Sequence, residues 1–128
     1  MEQNKNPLSP HLQIYKWQIS SLLSITHRIV GIINIFAITS ICAWGLFLLF
    51  GEDNYNTINS LLDSYFGKFM VISLCWTFSF HILNEIRHLA WDLGYGFDLK
   101  IAKITGFFVL AGSFILAIIF YLIGRNLI

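Results

Sequence analysis

The chain has 128 residues, 56% of them hydrophobic and 12% charged, with a formal net charge of +1. A water-facing domain carries about 25% charged residues, so this composition excludes an ordinary soluble fold and points to a membrane protein, with mean hydropathy of +0.68. The small net charge also excludes a nucleic-acid binder, which needs a concentrated basic patch.

Residues 1–28 open with MEQNKNPLSPHLQ, which is polar and carries two prolines. The stretch has neither the apolar run of a secretory signal nor the arginines of a transit peptide, so insertion without cleavage is expected. This segment is assigned to the inner side, with a short interfacial helix. Residues 29–50 carry no charge and predict the first transmembrane helix. Residues 51–68 (GEDNYNTINSLLDSYFGK) read as a polar outer loop. Residues 69–91 predict the second transmembrane helix, uncharged only as far as Asn84. Residues 92–103 form an inner loop in which Gly94 or Gly96 suits a helix stop, and residues 104–124 predict the third span. About 20 helical residues cross a hydrocarbon core of about 30 Å, and each run is long enough. Cys42 and Cys75 lie within apolar runs and read as packing residues rather than a disulfide or metal pair.

The basic residues set the expected orientation. Lys5, Lys16, Arg28, Arg87, Lys100 and Lys103 flank one side, while the other holds Lys68 and Arg125 with Glu52, Asp53 and Asp63. The positive-inside bias then places the N-terminus inside and the C-terminus outside. Trp17 and Trp91 read as interfacial anchors at the inner ends of the first two helices.

The second span carries SFHILNEIRHLAWDLGYG, residues 79–96. At 100° per residue, His81, Asn84, Glu85, His88 and Asp92 fall on one face, with Phe78, Ile82, Leu89 and Leu93 opposite. Ser24, His27, Arg28, Gly31 and Asn34 form a matching stripe at the entrance to the first span. The two stripes lie at similar depth, which suggests one shared site. Taken singly, Arg87, Asn34 and Asp92 read as snorkelling anchors or interhelical hydrogen-bonding groups. His81 differs, because it lies about 9 Å deeper than Arg87 along the helix axis, and an ionisable group at that depth marks a functional site. Imidazole is also a usual haem ligand in helical bundles. His88 lies about 10 Å along the same face from His81 and cannot serve the other side of the same porphyrin. A partner chain is therefore expected to supply the second axial ligand. His27, Arg28 and His88 at the inner edge suit the haem propionates.

These residues resemble the cytochrome b membrane-anchor family of succinate dehydrogenase, respiratory complex II. The family patterns S-x-x-H-R-x-x-G and H-x-x-x-G-x-R-H-x-x-x-D appear here as SITHRIVG, residues 24–31, and HILNEIRHLAWD, residues 81–92. The resemblance runs over almost the whole chain. It implies an all-α membrane protein of three transmembrane helices, half of a heterodimeric bundle that binds haem b. His81 would be the axial iron ligand, His88 a neighbour of the haem, and His27 and Arg28 would face the propionates. Ser24 and Arg28 would line the ubiquinone pocket. The implied partners are a second small anchor subunit supplying the other axial histidine, an iron–sulfur subunit, a flavoprotein subunit and membrane lipids. The implied location is a bacterial plasma membrane or the mitochondrial inner membrane, with electrons passing from succinate in the tricarboxylic acid cycle to ubiquinone. The chain has no dinucleotide fingerprint and no cluster-type cysteine spacing, so it is not expected to oxidise succinate by itself. Glu85 departs from the pattern, standing where the family usually has glycine. Three alternatives stay open: a quinol:fumarate reductase anchor, a purely structural anchor, and a proton-conducting subunit using the His81–Glu85–His88 stripe.

Overall fold

The computed structural model describes residues 16–127; the assignment made for residues 1–15 lies outside them. The described residues form α1 (Ile19–Phe47), one 3₁₀ turn (Leu48–Phe50), α2 (Glu52–Asp63), α3 (Tyr65–Asp92) and α4 (Leu99–Leu127). There is no strand among them. Three of these helices, α1, α3 and α4, are long and apolar enough to cross a membrane. The protein is an all-α, multi-pass membrane protein.

Each long helix extends beyond the uncharged run that announced it. The first begins at Ile19, not Ile29, so Ser24, His27 and Arg28 belong to the spanning helix itself. Helical hydrogen bonding does not stop where the hydrocarbon stops, and charged ends continue the ladder into the headgroups. The polar loop also holds a helix of its own, α2, whose Tyr55, Ile58, Leu61 and Leu62 recur at helical spacing.

The turns explain the hairpins. Gly51 precedes α2 at φ 120°, a conformation that L side chains rarely adopt. Ser64 separates α2 from α3, and its hydroxyl caps α3 by accepting from the Gly67 N–H at 3.1 Å. A Cβ on Gly67 would strike the backbone of Leu61 and Leu62, so the close α2–α3 corner requires glycine. At its other end α3 closes in a Schellman motif: Gly94 N–H donates to Trp91 O at 2.8 Å and Tyr95 N–H to Ala90 O at 2.9 Å, with Gly94 at φ 88°. The indole N–H of Trp91 donates to Gly96 O at 3.2 Å and ties the turn down. Six residues, 93–98, then separate α3 from α4.

The three long helices run up, down and up. Asn34 of α1 meets Thr77 of α3 while His27 meets Glu85, an antiparallel match. Trp76 stacks on Phe114, and Arg87 bonds Ala102 and Thr105, which makes α3 and α4 antiparallel too. The buried seam is thin. Leu23, Val30, Phe80 and Val109 form its apolar part, with Trp76, Leu83 and Leu110 against it. On α4 the buried face reads Gly106, Val109, Ser113, Ala117, a mostly small stripe that lets backbones approach, as in many membrane bundles. Elsewhere the long helices expose isoleucine, leucine and phenylalanine, as lipid or a second membrane chain demands. The first helix is the least covered of the three.

Candidate functional site at the head of the bundle

The polar residues gather at one end of the bundle, where the start of α1 meets the end of α3 and the start of α4. Gly31 lets α1 come close: a Cβ there would lie 3.4 Å from Cε1 of His81. One turn earlier, the His27 ring stacks on the His81 ring with centroids 4.4 Å apart and planes 23° apart. His88 stands beside His27 at 5.5 Å between centroids. His27 of α1 therefore bridges His81 and His88 of α3 and joins the two expected stripes.

Glu85 joins them. Its Oε1 lies 3.0 Å from His27 Nε2 and 3.9 Å from His81 Nε2, with the carboxylate side chain 57% exposed. The His27 contact is a close electrostatic one without hydrogen-bond alignment, and Nδ1 of His81 is buried with no protein partner. The bulky side chain thus does not push into the seam; it swings to the α1 side and meets the two imidazoles.

The single stripe expected on α3 divides in two. Thr77, Phe80, Asn84 and Arg87 form the buried seam, while His81, Glu85 and His88 occupy the flank toward α1. Asp92 is exposed. On α1, Asn34 is buried and its amide reaches Thr77 O at 3.4 Å, in keeping with an interhelical hydrogen bond. The side chain of Arg28 is exposed.

Ser24 lines a cavity of about 310 Å³ together with Ser20, Ser21, Arg87, His88 and Trp91. Arg87 was expected at the membrane surface, and the structure corrects that reading. Arg87 is only 7% exposed; its Nε donates to Thr105 Oγ1 at 3.2 Å and its Nη2 to Ala102 O at 2.9 Å. Its guanidinium lies over the Trp91 ring at 4.1 Å, and the edge of that ring meets His88 at 5.1 Å. The available signal was the i, i+4 pairing of arginine with tryptophan.

The donor chemistry suits a b-type haem. His81 offers an imidazole with a third of its side chain exposed. His27 stands within ring-contact distance of both His81 and His88. Comparison with known proteins agrees with this chemistry. Residues 2–120 match the family described as the succinate dehydrogenase/fumarate reductase transmembrane subunit. The chain belongs to this family. It is 42% identical over 118 residues to the succinate dehydrogenase cytochrome b556 subunit of Rickettsia conorii, covering 92% of each chain. It is 29% identical over 119 residues to the cytochrome b556 subunit of Paracoccus denitrificans, with 93% of this chain and 92% of that one covered. The cytochrome b560 subunit of Reclinomonas americana is 37% identical over 125 residues, spanning 91% of this chain and 85% of its own. Membership makes the chain a membrane subunit of an oxidoreductase complex, and its bacterial and mitochondrial relatives accord with an inner-membrane location.

Proposed function

We propose that this chain is the cytochrome b anchor of a succinate:ubiquinone oxidoreductase, holding haem b jointly with a second anchor subunit and forming part of the ubiquinone-reduction site. The observation that carries this reading is the run of contacting rings from His81 through His27 to His88, which ends at the cavity lined by Ser24 and His88.

His81 would hold the haem iron through its imidazole, together with a histidine from the partner anchor. His27, Arg28 and His88 are proposed to meet the haem's propionates and rim by charge-assisted hydrogen bonds. The haem supplies a one-electron store beside the quinone. Ser24 offers its hydroxyl to a quinone carbonyl, and Arg28 steadies the charge that gathers on the quinone oxygen. The iron–sulfur and flavoprotein subunits oxidise succinate and deliver the electrons. The site end of the bundle faces the inner side, in accord with the basic residues there. The exposed flanks of α1 and of His81 support a second membrane chain at this face.

The deciding experiment is a reduced-minus-oxidised absorption spectrum of this chain purified with its membrane partner. A b-type band that disappears in His81→Ala supports the ligand assignment; an unchanged band overturns it. A proton-conducting subunit built on His81, Glu85 and His88 would instead give proton flux in liposomes and no such band. The electron-transfer direction, and so the fumarate-reductase alternative, is read from succinate oxidation against quinol-driven fumarate reduction in the same preparation.

A further inference from the structure

Arg87 is a buried cation without an anion. Among the described residues the only ion pairs join Glu85 to His27 and to His81, so no carboxylate lies within 4 Å of its guanidinium. A buried charge is costly unless paired or hydrogen-bonded. Thr105, Ala102 and the Trp91 face offset part of that cost and fix the group in place. Yet a guanidinium has five N–H donors, and the hydrogen bonds to Thr105 and Ala102 engage only its Nε and Nη2. Arg87 also borders the cavity that Ser24 and His88 line.

We propose that Arg87 is a quinone-binding residue of the Ser24 cavity, donating from its unengaged N–H groups to a carbonyl oxygen of the head group. This inference rests on the reading of that cavity as the quinone pocket. The cavity, at about 310 Å³, lies at the lower end of the range for small-molecule sites. Reduction adds two electrons and two protons to the quinone; the electrons arrive through the iron–sulfur subunit and the protons from water. Arg87 transfers neither, because guanidinium stays protonated throughout. Its part is electrostatic: negative charge collects on the quinone oxygen when the first electron arrives, and a cation already fixed beside it needs no reorganisation. Arg28 is exposed and Arg87 buried, so the two arginines differ in how firmly they are held.

The test uses the whole complex carrying Arg87→Met, Arg87→Lys or Ser24→Ala. It reads the KM for a short-chain ubiquinone analogue and the ratio of quinone-linked to dye-linked succinate turnover. Arg87→Met is expected to raise the KM and lower the ratio about tenfold or more, as loss of a charged hydrogen bond does. Arg87→Lys keeps the charge but loses the fork, so its values should fall between; it also serves if the methionine variant fails to assemble. Unchanged KM and ratio in the lysine variant, or in an assembled methionine variant, would leave Arg87 as a brace for α4 and overturn the proposal. If Ser24→Ala raises the KM while Arg87 variants do not, only the arginine assignment fails. If Ser24→Ala also changes nothing, the cavity is not the quinone pocket, and both readings fall.

Discussion

The imidazole of His27 lies nearly flat against that of His81, with 4.4 Å between centroids, and the Nε2 atoms of both face one carboxylate, Glu85. The contact crosses from α1 to α3, so the two family motifs meet in space as one polar cluster. Its glutamate is the member that the family pattern lacks.

Replacing that glutamate restores the pattern. In Glu85→Gly the His27 contact is lost, but the carboxylate side chain is 57% exposed, and the contact contributes at most about 1 kcal/mol. Haem per complex, measured as the pyridine haemochrome, should hold or rise. A fall would show that the carboxylate itself helps to seat the cofactor.

Arg28 is exposed in this chain, outside the buried seam. Arg28→Ala should therefore lower quinone reduction far more than succinate oxidation by an artificial acceptor. Equal loss of both would mean that the change acts on assembly.

Two glycines should differ in what an added methyl costs. At Gly106 the methyl would meet Leu23 Cδ1 at 2.6 Å, the far end of a flexible side chain. At Gly67 it would meet backbone, which cannot rotate away. Gly106→Ala should cost about 1 kcal/mol and Gly67→Ala about 3 kcal/mol, within the range for overpacking. Thermal unfolding of the purified anchor pair in detergent checks the order.

Thr105→Val is nearly isosteric and leaves Nε of Arg87 without its acceptor. A buried donor so orphaned costs about 1–3 kcal/mol. The same exchange at Thr39, whose hydroxyl bonds Ile35 O on an exposed face, should be nearly silent. Comparable losses at the two sites would mean that the Arg87 brace adds little.

Much of this site is written in local spacing. Three apolar runs of adequate length announce the spanning helices, and the offsets among His81, Glu85 and His88 place them on one flank without any tertiary knowledge. The level shared by His27 and His81 follows from antiparallel neighbours of similar length. Arg87 is different. A lone arginine near a span's end reads as a snorkelling anchor, and only α4, arriving after the turn with Ala102 and Thr105, draws it inward. Asn84 is the same kind of case: helical spacing groups it with the histidines, whereas packing against the neighbouring helices assigns it to the seam. Partners distant in sequence decide such positions, and a period along one helix does not encode them.

The tight link between α3 and α4 also imposes an order on biogenesis. These two helices are joined by six residues and can pair as a hairpin soon after both enter the bilayer, in the manner of independently inserted helices that associate later. Once they have paired, Arg87 already holds Ala102 and Thr105, and Trp91 holds Gly96, without help from α1. His27, carried into the membrane first, meets His81 only when α3 has followed it.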